Sequence, residues 1–332
     1  MNQLNPLLLK ELQLQKVTVT TTARLHMGFV DLNGSQGRMF GSLGLALEAP
    51  TTKLTVFKSE KTLIDAKNQD CVTKIVENIK NQLKISVNFS IKVHENIPEH
   101  AGLGSGTQMA LAIGAGINAL FNLNLTTAEL AAITSRGRRS GVGIGTFEQG
   151  GLVLDGGRSV HHQNNQRTPP IIARHSFPQE WPVLLILDHH SQGLSGDAEL
   201  QAFEVLSHAG LVTAQALSHR VLMQALPAIV EHDYAQFSQA IHALQLATGD
   251  YFSAAQGGHY KSAKVAGVLH YLNQQGIICA GQSSWGPTGF AIFEDEANAN
   301  VMLKQLQLQF SSSNLNFELM RAKNTGASID LS

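Results

Sequence analysis

Cysteine is scarce in this chain of 332 residues: only Cys71 and Cys279 occur, far apart. Two such residues offer neither the spacing of a zinc or iron–sulfur site nor a disulfide framework, and they suit a reducing cytoplasm. Charge is also sparse. Charged residues make up 15% of the chain, 24 basic against 25 acidic, for a net charge of -1. That balance excludes a general nucleic-acid binder and a polybasic membrane attachment. No apolar run reaches membrane-spanning length without polar interruption. The opening MNQLNPLLLKELQLQK lacks the early basic region and sustained apolar run of a signal peptide. The expectation is a soluble cytoplasmic protein of one large or two medium domains. Low charge and 43% apolar residues leave room for a buried homodimer interface.

What the chain does have is a glycine-rich centre, Ile97 to Ala110, reading IPEHAGLGSGTQMA. Before it, Val87 to Val93 alternates apolar and polar residues, the mark of a half-buried strand. After it, Met109 to Leu123 is mostly apolar, of helical length and rich in small residues. Between them Gly102, Gly104 and Gly106 permit a tight turn, and Ser105 or Thr107 can cap the helix. A glycine loop that opens a helix presents unpaired N–H groups at the positive end of the helix dipole. That is a seat for a phosphate or diphosphate. The same composition also serves a plain strand-to-helix connection.

Elsewhere, residues 1 to 15 read as a loose or helical arm, and VTVTTTARLHMGFVDL as a β-rich start. Arg24, His26, Asp31, Asn33 and Arg38 then crowd around glycines, as a ligand wall would. A strand is expected at Thr51–Phe57 and a helix at Asp70–Asn81. Thr126 and Glu129 stand at capping-box spacing before a helix expected to run to about Arg139. Arg136, Arg138 and Arg139 concentrate basic charge just before a second glycine-rich block, Ser140 to Gly151. The polar segment from His161 to Pro170 suits an exposed connection. Beyond it come strand VLLILD, helices at about Ser195–Leu226, Asp233–Leu246 and His259–Gln275, and strand IICAG. Loop GQSSWGPTG, strand FAIFE and a helix at Ala297–Phe310 follow. This order predicts an α+β unit with an antiparallel sheet. Ser195-Gly196-Asp197-Ala198-Glu199 follows a strand end and opens a helix, a common place for ligands, although Asp197 and Glu199 also suit a first helical turn. The pairs His161-His162 and His189-His190 read as loop residues rather than metal ligands.

The three glycine-rich blocks together resemble the GHMP kinase superfamily. Its central motif, P-x-x-x-G-L-G-S-S/G, is matched by Pro98 to Gly106, PEHAGLGSG, and its third motif by GQSSWGPTGFAI. The resemblance implies an α+β fold with an N-terminal domain of the ribosomal protein S5 domain 2-like type. A C-terminal ferredoxin-like domain follows, and the site lies between them. We place these at 1–170 and 171–332. Kinase members carry a block S-G-V-D-N-x-x-x-x-x-G-G whose aspartate assists the substrate hydroxyl. Here the aspartate position is Gly143, which cannot accept a proton. The strings RLHMGFVDLNGSQGR, HAGLGSGTQ, RRSGVGIGTFEQGGLVLDGG and GQSSWGPTG resemble instead a non-kinase branch, the β-ribofuranosylaminobenzene 5'-phosphate synthases of methanopterin biosynthesis.

That branch implies a reaction between phosphoribosyl pyrophosphate and 4-aminobenzoate or 4-hydroxybenzoate, releasing pyrophosphate and CO2 and forming a C-riboside. Pyrophosphate departure calls for N–H donors, cations and Mg²⁺. The donors would come from Gly102, Leu103, Gly104, Ser105, Gly106 and Thr107, with Arg139 and Ser140 beside the second glycine block. Asp31 and Glu148 are the carboxylates assigned to the ribosyl cation-like centre and, alternatively, to Mg²⁺. His26 would manage the proton of the para substituent, and Arg24 or Arg38 would hold the acceptor carboxylate. Trp285, beside Gln282, Ser283 and Ser284, would either stack on the arene or fill core, the former favoured. No organic cofactor is required, because the para group supplies the electrons. An ATP-dependent small-molecule kinase and a silent phosphometabolite-binding protein are the alternative readings.

Overall fold

The computed structural model describes residues 16–161, 168–193, 199, 201–203, 206 and 209–332. The arm at 1–15, most of the polar connection at 162–167 and the stretch 194–198 lie outside these residues, as do the expectations placed on them.

The β-branched opening becomes β1 (Lys16–Asp31), paired antiparallel with β3 (Gly41–Lys58); a short β2 (Arg38–Met39) lies between them. β1 does not keep one register. Irregularities fall at Thr22/Arg24, His26/Gly28 and Phe29/Asp31. Each bulge re-aims the side chains beyond it. Val17 and Val19 therefore bury in one core, while Ala23, Leu25 and Met27, also odd-numbered, bury in another. β3 makes the same exchange, with Leu54 and Val56 in the first core and Leu43, Leu45 and Leu47 in the second. One long hairpin thus serves both halves of the molecule.

The first core lies under α1 (Gln69–Leu83) and α2 (Ser105–Phe121), with β4 (Ile64–Asp65) and β5 (Phe89–Glu95) extending the sheet. The sheet order is β13-β1-β3-β5-β4, and β6 (Leu152–Asp155) joins β3 to β8 (Ile171–His175). β13 (Ser328–Leu331) comes from the far end of the chain. The boundary expected at residue 170 therefore falls just before a strand that still belongs to the first sheet, and the C-terminal segment returns to that sheet as well. β7 (Arg158–Ser159) pairs with β2 outside it.

Two helices depart from expectation for visible reasons. α3 (Thr127–Ile133) carries the full Thr126/Glu129 capping box but ends well short of Arg139. The Thr134 hydroxyl bonds back to the Leu130 carbonyl (2.8 Å), and Ser135 and Gly137 take positive φ. Arg136, Arg138 and Arg139 consequently sit on a loop. The second glycine block, in turn, forms α4 (Val142–Gln149). Glycine disfavours helix, but here it permits close packing: a Cβ on Gly44 would lie 2.2 Å from Val142 Cγ1, and one on Gly145 would lie 2.7 Å from Val153 Cγ1.

The second sheet, β10-β11-β9-β12, is antiparallel throughout and has the strand order of a split βαβ, ferredoxin-like unit. Its members are β9 (Val183–Leu187), β10 (Ala280–Gln282), β11 (Gly289–Ile292) and β12 (Asn316–Met320). The run VLLIL has no polar face because both sides are covered. Val183 and Leu185 join the core shared with β1 and β3, while Leu184 and Ile186 pack with the later helices. Those helices are α5 (Leu211–Arg220), continued by a π-helical turn at Val221–Ala225 into α6 (Leu226–Glu231), then α7 (Tyr234–Gln256), α8 (Ala263–Gln274) and α9 (Glu296–Gln309). No helix among the described residues is long and apolar enough to cross a membrane.

Candidate active site

The loop before α2 is built to stay open. Its N-cap is Gly104, at φ 85°, and no side chain caps the helix, although Ser105 and Thr107 stand beside it. Only glycine takes that conformation without strain. The helix N-terminus therefore faces a cleft of about 420 Å³. Its lining includes Gly102, Gly104, Ser105, Gly106, Thr107, Arg24, Arg136 and Ser284, together with Lys67, Asn68, Cys71, Asn96, Glu99 and Glu199.

Arg24 is the hinge of this arrangement. Lying opposite Leu25 on the strand, its side chain turns to the loop, where Nη1 donates to the Gly102 carbonyl (2.7 Å) and its backbone N–H donates to the Leu103 carbonyl (3.1 Å). Leu103 itself is a core residue, fully buried. Arg24 Nε, Arg136 Nε and Arg139 Nη1 are buried with no hydrogen-bond partner among the described residues. Burial lowers the Arg24 pKa to about 10 against the opposing pull of Glu199, so the guanidinium stays charged at neutral pH. Burial also lowers Arg136 and Arg139. Unpartnered cationic donors beside an uncapped helix N-terminus have one obvious complement, a multiply charged anion.

The loop from the second half locks the first. The Ser283 hydroxyl donates to the Gly102 carbonyl (2.7 Å) and accepts from the His26 backbone N–H (3.0 Å), and the Ser284 N–H donates to the His26 carbonyl (3.1 Å). Gln282 braces the same loop internally, accepting from the Lys261 N–H (2.7 Å) and donating to the Ser284 carbonyl (3.0 Å). Trp285 does not stand in the cleft. It is 2% exposed and stacks on Phe252, ring centroids 3.8 Å apart. His26 lies behind the loop against Phe29 at 4.6 Å, with both ring nitrogens unpartnered among the described residues. Burial first, then the Arg24 charge, pull its pKa down to about 3. The imidazole is therefore neutral, and a weak proton acceptor.

Arg139 forms a second cationic point. It pairs with Glu199 at 3.3 Å and lies 4.6 Å over the Phe203 ring. Behind it is a clamp that the sequence did not advertise. Asp155 is fully buried, and the hydroxyls of Ser42 and Ser140 and the Gly141 N–H each lie 2.9 Å from its Oδ2. The Gly157 N–H donates to Oδ1 at 2.7 Å. Arg38 extends the brace, donating from Nε to the Gly156 carbonyl (2.7 Å) and from Nη2 to the Gly157 carbonyl (2.5 Å). Ser140 and Arg38 thus hold the loop that carries Arg139.

The two carboxylates favoured from the sequence are not brought to the cleft. Asp31 Oδ1 accepts from the Asn33 (2.7 Å) and Gly34 (3.1 Å) N–H groups, closing the turn before β2. Glu148 is exposed near the C-terminal end of α4. In their place stand Glu199 and Glu99. Glu199 belongs to the stretch after a strand end that the sequence marked as a place for ligands, whereas the sequence context of Glu99 gave no signal. Gly143 is also explained: a Cβ there would lie 3.1 Å from Thr107 Cγ2, and its carbonyl accepts from buried Gln108 Nε2 (2.8 Å). The place of the kinase aspartate is filled by the contact of α4 with α2.

Asp155 gives a testable pH dependence. Burial pushes its pKa up from 3.8 to about 6, against its four hydrogen-bond donors. A carboxyl less acidic in the fold than in the unfolded chain stabilises most at low pH, and that contribution is lost as pH rises toward the folded value. Asp155→Asn should cost about 1–3 kcal/mol at neutral pH by setting an amide against those donors. The stability difference between wild type and variant should shrink as pH rises from about 4 to about 6, as read by urea unfolding. A difference that grows over that window would mean that the donors, not burial, set the pKa.

Two family models match the chain, that of the GHMP kinases N terminal domain over residues 70–149 and that of the GHMP kinases C terminal domain over 225–312. The structure is similar to a homoserine kinase from Cytophaga hutchinsonii, with a TM-score of 0.68 at 15% identity, covering 95% of this chain and 97% of that one. That likeness establishes the fold. Sequence relatives go further. The β-ribofuranosylphenol 5'-phosphate synthase of Archaeoglobus fulgidus is 32% identical over 94% of this chain and 98% of its own. The enzyme of the same name from Methanocaldococcus jannaschii is 33% identical over 82% and 88%. With matches of that extent, and with the glycine loop and arginines assembled as described, the chain belongs to the β-ribofuranosylphenol 5'-phosphate synthase family, enzymes of the GHMP kinase superfamily.

Proposed function

We propose that this enzyme transfers the phosphoribosyl group of phosphoribosyl pyrophosphate to the ring carbon of a para-substituted benzoate, with loss of CO2 and pyrophosphate, in tetrahydromethanopterin biosynthesis. The observation that carries the reading is the pair of guanidinium nitrogens, Arg24 Nε and Arg136 Nε, that have no partner among the described residues and stand at the open N-terminus of α2. The diphosphate takes that seat, and the same charges stabilise it as it leaves. The acceptor is 4-hydroxybenzoate or 4-aminobenzoate. We place the former first because the archaeal relatives are named for the phenol product.

The ring carbon bearing the carboxylate attacks the anomeric carbon as the carbon–oxygen bond to pyrophosphate breaks. The para oxygen or nitrogen lone pair supplies electron density. The carbon–carbon bond to the carboxylate then breaks, its electron pair restoring the aromatic ring, and CO2 leaves. His26, neutral and buried behind the loop of Ser283 and Ser284, does not line the cleft and takes no part in moving the proton of the para substituent. The Ser105 and Thr107 hydroxyls and Glu99 suit a Mg²⁺ ion held chiefly by diphosphate oxygens, the usual habit of that ion. It would neutralise charge on the leaving group. A cytoplasmic homodimer completes the reading.

The test is release of labelled CO2 from carboxyl-labelled 4-hydroxybenzoate and 4-aminobenzoate, with phosphoribosyl pyrophosphate and Mg²⁺ and without ATP. Release that depends on the sugar donor is expected. ATP consumption with no CO2 would return the chain to the kinases. A second check is Gly104→Val. It places bulk where even a Cβ would lie 3.2 Å from the Arg24 side chain, on a residue at φ +85°. Affinity for phosphoribosyl pyrophosphate should fall by about tenfold or more. Unaltered affinity would put the seat elsewhere.

A further inference from the structure

The proposed reaction needs a negative group near the anomeric carbon, where positive charge develops as pyrophosphate leaves. Asp31 is committed to its turn, and Glu148 is exposed on α4 and does not line the cleft. Glu99 lines the cleft, but its two carboxylate oxygens accept from Asn68 Nδ2 at 3.1 and 2.9 Å. Glu199 differs. It lines the same cleft as Gly104, Ser105 and Arg24, and its side chain is 27% exposed. Its carboxylate pairs with Arg139 at 3.3 Å and feels the charge of Arg24 as well. Both arginines have a further nitrogen without a partner among the described residues.

A carboxylate wedged among the cations of an anion seat weakens that seat, so an assembly selected only to bind diphosphate would not contain it. Its presence makes sense if the adjacent atom of the bound substrate becomes positive. The leaving oxygen of the diphosphate is bonded directly to the anomeric carbon, so a group abutting the seat abuts that carbon. Resting on the function proposed above, we infer that Glu199 is a catalytic carboxylate. It occupies Arg24 and Arg139 before substrate arrives, and it faces the anomeric centre once the diphosphate has engaged them. Its contribution is electrostatic and involves no covalent bond. Burial raises its pKa, while Arg139 and Arg24 act to keep it ionised.

Glu199→Gln, Glu199→Ala and Glu199→Asp test this by two independent readouts. The first is titration with inorganic pyrophosphate, followed by calorimetry and involving no turnover. Loss of the competing charge in Glu199→Gln should tighten binding by about fivefold at low salt. The second is steady-state turnover. The kcat of Glu199→Gln should fall by about 100-fold with no rise in KM for phosphoribosyl pyrophosphate, and Glu199→Asp, which keeps the charge, should recover part of it. A residue that merely positions the arginines would instead raise KM and weaken pyrophosphate binding. Pyrophosphate affinity that is unchanged or weaker, or a kcat within about threefold of wild type, overturns the inference. If wild type releases no CO2, the reaction assignment fails, and the pyrophosphate titration still judges whether Glu199 shares the seat.

Discussion

Everything in the cleft depends on a guanidinium held inside the protein with part of its hydrogen-bonding capacity unspent. Arg24 spends Nη1 on the Gly102 carbonyl and leaves Nε without a partner among the described residues. Burial of such a group is unfavourable unless something compensates. The fold meets part of the need with Glu199 and leaves the remainder to a ligand. The bulge in β1 places Arg24 there, since it turns that residue toward the α2 loop while Leu25 and Met27 enter the shared core. The same strand therefore welds the two halves and delivers the cation to the gap between them.

The kinship with ATP-dependent kinases is one of scaffold. A glycine loop at a helix N-terminus recognises phosphate chains whatever they are attached to. What separates the chemistries is the wall opposite. In this chain the position of the kinase aspartate is Gly143, packed so that a Cβ there would lie 3.1 Å from Thr107 Cγ2. The carboxylates that line the cleft are instead Glu99 and Glu199.

Sequence patterns conveyed the local geometry well where a local cause governed it. The alternation before Ile97 and the uninterrupted VLLIL of a strand covered on both faces became the strands expected, and the capping box at Thr126 and Glu129 opened a helix, though a shorter one than expected. The glycine loop that opens α2 was legible because glycine spacing and helix capping are local matters. Long-range partnerships were not. Asp155 looks like a turn residue in LVLDGG, and only the fold brings Ser42, Ser140 and the Gly141 N–H to it. Trp285, expected against substrate, is claimed by Phe252 and Phe203. Arg136 and Arg139 were expected on a helix, but Ser135 and Gly137 at positive φ release them into a loop from which Arg136 lines the cleft and Arg139 pairs with Glu199. Asp31 was chosen for its company in sequence, and that company, Asn33 and Gly34, is what occupies it.

The most direct measurement of the account is a crystal structure of the protein with phosphoribosyl pyrophosphate, or with pyrophosphate and Mg²⁺. The account requires phosphate oxygens within hydrogen-bonding distance of Arg24 Nε, Arg136 Nε and the first N–H groups of α2. A diphosphate bound elsewhere, with those nitrogens still unpartnered, would contradict it.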